Sequence, residues 1–523
     1  MSKLLLINPS YLKTYGSNQA GLANPVYPVL GLATVAGEAR GAGHEVQILD
    51  LSYRVYDPDY LRGIIQGGFT HIGITATTPL VNQMRDISFL VKSINKNIKC
   101  FAGGSHPSAL PYETMSESLL DFVVGGEGDK TIVEVLNSSD YANISGITWR
   151  DGDRIVTNKP RALIENLDEL AMPAWDLYPI EDYKGKITKI IAKYTPITTV
   201  EFSRGCVFLC DFCGSKNTMG LGYRKKSPER CANELEHLEN LGYREVVLTD
   251  DIFTSDNRWA IQVCESIIKK NLSIKWTCTN GIRVDSANEE LFLKMKKAGC
   301  YRVHFGFESG NEEVLKSFGK GGKATLTQGL TAVDMARSAG LETWGMFMFG
   351  LSSDTESTME DTINYAKTVR VDVMKFGITV PFPGTPMFDE LRKSNNIINF
   401  NWDDYNVYNE ANSIMKHPNL SWEIIQSYYK KAYIHCYYLN PSYILRRMVR
   451  AIKTFELFWD IFYLFKFARI LWGGNKQVGH ERYAFSDQWR ALDVKPSRIA
   501  FYVPPRASKI IKLFENENSS VTP

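Results

Sequence analysis

Strong charge of either sign is missing from this chain of 523 residues: 60 Lys and Arg against 58 Asp and Glu leave a formal net charge of +2. That balance argues against wholesale nucleic-acid binding, which needs a broad basic surface. No long apolar run opens the chain. Leu4-Leu5-Leu6-Ile7 is too short for a signal peptide and Asn8-Pro9 ends it, so a cytoplasmic location is expected. Cysteine is sparse, and Cys100, Cys231, Cys264, Cys278, Cys300 and Cys436 are unclustered. They read as buried thiols in a reducing compartment, not as a disulfide framework.

The other three cysteines are different. Cys206, Cys210 and Cys213 form a CxxxCxxC pattern inside Glu-Phe-Ser-Arg-Gly-Cys-Val-Phe-Leu-Cys-Asp-Phe-Cys-Gly, residues 201–214. Chance supplies roughly 0.003 such matches at this cysteine content, so the pattern calls for a shared metal. A fourth Cys or His is absent from the loop, which argues against structural zinc with its four ligands. A 4Fe-4S cube held by only three thiolates keeps one iron open to a substrate. Thr195 to Phe202 reads as a strand, and Gly205 and Gly214 allow the loop to turn tightly. The loop therefore sits at a strand's carboxyl end, where parallel α/β proteins place chemistry.

With Phe212 before the last cysteine, the motif resembles the signature of the radical S-adenosylmethionine (SAM) enzymes. The resemblance implies that the open iron chelates the amino and carboxylate groups of SAM. An electron from the cluster then cleaves SAM to a 5'-deoxyadenosyl radical.

Upstream, residues 1–157 alternate short apolar strands, near 4–7, 46–49, 72–75, 99–103 and 122–124, with helical patterns. This predicts a flavodoxin/Rossmann-like sheet, closed by a hairpin over 147–157 with Asp151-Gly152 at its turn. Ligands of such sheets lie outside the carboxyl strand ends. Those ends read Asn8-Pro9-Ser10, Thr75-Ala76-Thr77-Thr78, Gly103-Gly104-Ser105-His106-Pro107 and Gly125-Gly126-Glu127-Gly128. They form a shelf of amides and hydroxyls suited to a large flat cofactor with a phosphate tail. The last two turns resemble those of cobalamin-dependent radical SAM enzymes, which makes Ser10, Thr75, Thr77, Gly104, Ser105, His106, Gly126 and Glu127 candidate cobalamin contacts. The Asp-x-His-x-x-Gly motif by which other cobalamin proteins ligate cobalt is missing, so cobalt is expected to lack that lower ligand. His106 is the alternative lower ligand, although a histidine between Ser and Pro at a turn is more often a residue that hydrogen-bonds locally.

Residues 158–194 lack periodicity and form a linker whose Pro-Ala-Trp-Asp-Leu run resembles that of the same family, with Trp175 a candidate interdomain contact. From 195 to 395, six strands near 197–202, 244–249, 274–279, 301–307, 342–349 and 372–380 alternate with helices, predicting a partial (β/α)6 barrel. Ser227-Pro228 opens one helix, and Ser286 with Glu289 reads as the capping box of another. The strand ends offer Asp250, Asp251, Asn280, Arg283 and Glu308-Ser309-Gly310 to a charged sulfonium amino acid. Arg283 is suited to its carboxylate. By resemblance, Asp251, Glu308 and Ser309 are candidate SAM contacts. Met346 to Leu351 resembles the family's adenine-binding edge, with Ser352-Ser353-Asp354 in place of the usual Pro-Gly. Pro381 to Pro386 also matches the family, or is a rigid turn that caps the barrel.

Residues 396–523 read as mainly helical, with Tyr428, Tyr429, Tyr433, Tyr437 and Tyr438 as core packing and a disordered tail from Glu515 to Pro523. Residues 444–472 form one helical pattern in which repeated charges exclude a membrane-spanning helix. It reads either as a helix packed across the barrel mouth or as a peripheral contact with an anionic membrane.

The resemblance implies a cobalamin-dependent methyltransferase acting on an unactivated carbon, with SAM as both radical source and methyl donor. Non-methylating oxidation, cyclisation or rearrangement with the same cofactors is the alternative, as in the anaerobic magnesium-protoporphyrin cyclase. A non-catalytic sensor is the remote one. A methylthiotransferase would need a further cysteine triad, and only Cys100 precedes Cys206. The expected partners are a small-molecule or lipid-like substrate and a reducing electron donor such as flavodoxin or ferredoxin.

Overall fold

The computed structural model describes residues 1–11, 26–183, 191–317, 324–407 and 413–454, together with Leu457, Phe458, Ile461, Phe462 and Phe465. Two sheets organise it. The first contains β1 (Lys3–Asn8), β2 (Glu45–Asp50), β3 (His71–Thr75), β4 (Lys99–Gly103), β5 (Phe122–Val124), β6 (Ile147–Asp151) and β7 (Arg154–Thr157), in the order β2-β1-β3-β4-β5-β6-β7. β1 to β5 are parallel, and β6 and β7 add the expected antiparallel hairpin. β1 is apolar from Leu4 to Ile7 because both of its faces are covered. Leu5 and Ile7 pack with Leu61, Met84 and Leu90 on one side, and Leu4 and Leu6 with Ala36, Ile132 and Val135 on the other. Chain order reverses between β1 and β3, and the crevice outside their carboxyl ends is where doubly wound sheets bind ligands.

The second sheet contains β8 (Ile197–Val200), β11 (Glu245–Leu248), β12 (Lys275–Ile282), β13 (Cys300–Glu308), β14 (Glu342–Phe349) and β15 (Val373–Ile378), all parallel and in that order. A short antiparallel ribbon, β9 (Ser203–Arg204) with β10 (Arg224–Lys225), brackets the cysteine loop. Helices between the strands cover the outer face. Ser227 caps the helix Pro228–Asn240 as expected, its hydroxyl accepting from Arg230 N at 3.2 Å. The next predicted cap is corrected. Ser286 is bonded to Thr254 and to the Arg283 carbonyl, so the helix Glu289–Lys297 starts later and is capped by Asn288.

The sheet is open between β8 and β15, and an open edge leaves backbone groups in need of partners. Tyrosines supply them along β15. Tyr437 Oη accepts from Met374 N at 2.8 Å and donates to Met374 O at 2.5 Å, Tyr433 Oη lies 3.4 Å from both Phe376 N and O, and Tyr443 Oη donates to Asp372 O at 3.2 Å. The tyrosine spacing thus serves an edge as well as a core. The C-terminal helices run down the outside of β15, with Ile425 against Gly350 just past the carboxyl end of β14. At the lower end Arg450 pairs with Glu342 at 2.8 Å and Asp372 at 2.5 Å. The helix Pro441–Thr454 therefore packs at the amino end of the barrel and not across its mouth. Most of 455–472, and the tail Glu515–Pro523, lie outside the described residues.

Trp175 joins the two sheets: fully buried, it donates to Thr199 O at 3.1 Å, while Ala174 N donates to Ala33 O at 2.8 Å. A second joint is apolar. Val380, Phe388, Trp402, Tyr405 and Met415 share one core with Ile74, Val81 and Leu110 of the first sheet's layer.

Candidate active site

The cysteine loop leaves β9 at Arg204 and turns at Gly205, whose φ is +84°. A Cβ there would lie 2.6 Å from Gly222 O, so only glycine fits without displacing backbone. Gly205 N donates to Asp251 at 3.1 Å. Farther along, Asp211 O accepts from Met387 N at 3.1 Å, and Asn217 donates to Gly384 O at 2.5 Å. The Pro381–Pro386 segment thus clamps the cysteine loop as well as capping the barrel. Cys206, Cys210 and Cys213 are half-buried while the other six cysteines are buried, as the sequence suggested for them.

Among the described residues, no three His, Cys, Asp or Glu side chains converge as ligands of a single metal ion would. A 4Fe-4S cube does not require that convergence, because each thiolate holds a different iron. Three half-exposed thiols at a strand's carboxyl end fit such a cube with one iron left open. Burial pushes the thiols of Cys206 and Cys213 up, so loading a metal there releases protons.

Around the loop, the candidate SAM residues divide. Glu308 ends β13 with φ +64°, next to a register shift against β14. A non-glycine residue held there costs about 1–3 kcal/mol, the kind of strain that clusters at functional sites. Arg283 lies 3.7 Å from the Phe208 ring centroid of the cysteine loop and is bound by Asp285 through two hydrogen bonds, of 2.9 and 2.6 Å. It is therefore a brace of the loop rather than an open clamp. Asp251 also faces the loop through Gly205 N. Ser309 is buried and accepts from Asn311 N at 3.2 Å, so its hydroxyl is engaged within the protein. Phe212 packs against Val314, Leu315 and Leu351. In the turn after β14, Asp354 accepts from Leu351 N at 2.9 Å, which explains how the chain turns there without Pro-Gly.

On the first sheet, Thr77 and Ser105 are exposed at the strand ends, and Thr75, Gly104 and Gly126 are half-exposed. Gly104 has φ +108°, and a Cβ would meet Ala76 O at 2.8 Å. Three shelf candidates point inward instead. Ser10 is buried, donating its amide to Gln83 and its hydroxyl to Arg54 O. His106 is buried against Trp402, with ring centroids 4.9 Å apart, and lies 3.3 Å from Thr78 Oγ1. Burial, with Arg85 nearby, pushes its pKa down to about 3, so the ring is neutral and part of the packing. Glu127 is buried and paired within the protein.

Its partners were missed by sequence reasoning. Arg204, two residues before Cys206, reaches Glu127 at 3.0 Å, Asp129 at 2.9 Å and Glu201 at 2.6 Å, and Arg224 reaches Glu127 at 2.8 Å. All five side chains are buried. Burial opposes charge on Arg204, but the carboxylates outweigh it and keep the guanidinium cationic. Burial likewise opposes charge on Asp129, and Arg204 outweighs it, holding the carboxyl below its usual range. This network joins the β5 turn of the first sheet to the root of the cysteine loop. A buried arginine in Ser-Arg-Gly-Cys was the only sequence signal for it.

The same turn touches the loop's far side. A Cβ on Gly126 would meet Thr218 O at 3.7 Å, and one on Gly384 would meet Asn217 and Ala109. The shelf of the first sheet and the cysteine loop of the second thus face each other across one junction.

Residues 200–366 match the Radical SAM superfamily and residues 21–136 the B12 binding domain. Over 426 residues the chain is 33% identical to an uncharacterized methyltransferase, PH0819, of Pyrococcus horikoshii, which spans 80% of this chain and 89% of that protein. The chain belongs to the cobalamin-dependent radical SAM enzymes. The enzyme is also 26% identical over 404 residues to the anaerobic magnesium-protoporphyrin IX monomethyl ester cyclase of Cereibacter sphaeroides, covering 73% of this chain and 64% of that one. Its fold is that of the radical SAM methyltransferase TsrM from Kitasatospora setae, with a TM-score of 0.63 at 19% identity over 75% of this chain and 76% of that chain.

Proposed function

We propose that the enzyme transfers a methyl group from SAM, by way of cobalamin, to an unactivated carbon of a small-molecule or lipid-like substrate in the cytoplasm. The observation that carries this reading is the junction itself: the segment that follows Cys213 lies against the turns of the first sheet, with Thr218 O 3.7 Å from a Cβ on Gly126 and Asn217 and Ala109 both beside Gly384, and the thiols of Cys206, Cys210 and Cys213 next to it are half-buried. The methyltransferase relative supports methylation over other radical chemistry. When bound, the cluster and SAM supply a 5'-deoxyadenosyl radical and cobalamin carries the methyl group.

The protein's own residues position and exclude. Gly205, Asp251, Asn217 and Gly384 fix the loop that carries the thiols. Glu308, held at the end of β13, is suited to the ammonium or ribose of SAM. Trp175 and the Arg204 network keep the two sheets at one separation, which holds reacting atoms in register. Exposed Val207 and Leu209 on the loop suit contact with a reducing protein such as flavodoxin or ferredoxin.

Reduced, reconstituted enzyme should convert SAM to 5'-deoxyadenosine, and label from methyl-labelled SAM should appear on cobalamin. Cys206→Ala, Cys210→Ala and Cys213→Ala should each lose iron and 5'-deoxyadenosine formation. Deoxyadenosine formation with no label ever reaching cobalamin would favour the cyclase-like alternative.

A further inference from the structure

The inward positions of the barrel strands are half-exposed above one level and buried below it. Phe305 and Phe307 of β13 face the outer helices, with ring centroids 6.2 Å from Phe292 and 5.7 Å from Tyr365, so His304, Gly306 and Glu308 turn inward by strand alternation. The same alternation turns Trp344, Met346 and Met348 of β14 and Lys375 and Gly377 of β15 inward, because Phe347 packs on Tyr365 and Phe376 on Tyr433 outside. Closed (β/α) barrels fill such positions with branched side chains. Here Gly306, Glu308, Met346, Met348, Lys375 and Gly377 are half-exposed while their outward neighbours are buried.

Below them lies a rigid floor. Trp344 donates its Nε1 to Glu342 at 2.7 Å, and the guanidinium of Arg302, itself bonded to Glu342 at 2.9 Å, lies 4.4 Å from the indole centroid. His304 lies flat on the same indole, with centroids 4.7 Å apart and planes 4° apart. It is 7% exposed, and its Nε2 is buried with no hydrogen-bond partner among the described residues. The hydrogen bond between the ring and the Thr279 backbone favours the protonated ring, so it runs from Nδ1 to the Thr279 carbonyl. Burial, then the charges of Arg302 and Lys375, outweigh that bond and keep the ring neutral. Nε2 therefore presents a lone pair at the bottom of the lumen. A carboxylate or phosphate oxygen would set lone pair against lone pair, and an ammonium would face the charges of Arg302 and Lys375. A neutral hydroxyl or N–H is the match.

We propose that His304 determines specificity by accepting a hydrogen bond, at Nε2, from a hydroxyl or N–H group at the far end of the substrate, whose apolar body lies along Met346 and Met348 up to the reacting carbon near Glu308. The inference rests on the radical chemistry proposed for the carboxyl end of the sheet. Four strand residues lead from His304 to Glu308, a rise of roughly 13 Å. The substrate class is thus an elongated, mostly apolar molecule that is methylated well away from a neutral donor group. The thioethers of Met346 and Met348 adapt to such a body, and Gly306 and Gly377 place no side chain in its way.

Anaerobic calorimetric titration of the cofactor-loaded full chain with n-octanol, its methyl ether and octanoate tests this. Wild type should bind the alcohol about tenfold more tightly than the ether, from one hydrogen bond to a buried acceptor, and more tightly than octanoate. His304→Phe keeps a ring on Trp344 and removes the acceptor, so it should bind alcohol and ether alike with unchanged iron and cobalamin content. In wild type labelled with nitrogen-15 histidine, the Nε2 resonance that His304→Phe removes should move on adding the alcohol and stay in place with the ether. No binding of the alcohol, equal affinity for alcohol and ether in wild type, or an alcohol preference that survives in His304→Phe overturns the proposal. Tighter binding of octanoate also overturns it and assigns the lumen to carboxylates. If the variant does not fold, the wild-type preference alone decides. None of these readouts needs turnover, whereas 5'-deoxyadenosine formation from SAM tests the radical reading, so failure of the one is distinguishable from failure of the other.

Discussion

Replacing Arg204 by Met tests whether the buried ion network, and not the apolar joint alone, holds the two sheets together. The guanidinium makes four contacts of 2.6–3.2 Å to Glu201, Glu127 and Asp129, and its side chain is 3% exposed. Methionine keeps most of the volume and removes the charge, leaving two carboxylates with no cation and Glu127 with Arg224 alone. Breaking a buried pair by deleting one partner costs about 3–5 kcal/mol. At an unfolding entropy of about 2.1 cal/mol/K per residue, the 523-residue chain has roughly 1.1 kcal/mol/K, so the midpoint should fall by about 3–5 °C in differential scanning calorimetry.

The pH dependence separates this mechanism from simple misfit. In the wild type, Asp129 sits below its unfolded value, so its contribution is present above that value and is lost as pH falls through the folded one. Without Arg204, burial is left to push Asp129 the other way. It then destabilises at neutral pH, and the penalty eases as it protonates. The gap between variant and wild type should therefore narrow as pH falls from neutrality toward the unfolded carboxylate range, and Arg204→Met plus Asp129→Asn should recover part of the loss. A midpoint shift under about 1 °C, or a gap that does not vary with pH, would refute the reasoning.

Gly205→Ala should lower the iron and labile sulfide bound per chain with little change in far-ultraviolet circular dichroism, because its Cβ meets Gly222 O at 2.6 Å and strains the loop alone; normal iron content would count against this. The cob(II)alamin form should show no axial nitrogen splitting in its electron paramagnetic resonance spectrum, in wild type or in His106→Gln, since His106 is packed on Trp402; a splitting in the wild type that the variant loses would overturn that assignment.

The strands were legible because each is a short apolar run between turn residues. β1 to β5, the hairpin and the six barrel strands lie within a few residues of where periodicity puts them. The site was legible only where chemistry leaves a local pattern, as in the thiol spacing and the glycines of the shelf. Ser10 and Ser309 show the limit: a hydroxyl at a strand end reads as an open ligand group, yet Gln83 and Arg54 engage the first and Asn311 the second, from up to 73 residues away in sequence. Glu127 fails for the same reason, since a carboxylate's partner is set by tertiary placement of Arg204 and Arg224. The helix after Pro441 was misplaced because its apolar and basic periodicity says which residues share a face and not which face is docked.

The placement of those buried ions follows from the architecture. Two parallel sheets that meet by their carboxyl edges bring together the ends at which backbone amides and loop side chains are least satisfied, and neither edge can be sealed by apolar packing while a large cofactor must enter. Around the rim, Trp175 and the core shared by Val380, Trp402 and Tyr405 supply apolar area. At the root of the cysteine loop there is no room for a side chain on Gly205, because the carbonyl oxygens of Gly222, Gly220 and Met219 lie 2.6–3.3 Å from where its Cβ would be. An arginine fits there: its planar fork engages three carboxylates at once, and the length of its side chain lets it cross from one sheet's turn to the other's. The orientation of the shelf toward the thiols is then fixed by charges whose geometry tolerates little change, which is the condition for two cofactors to act on one carbon.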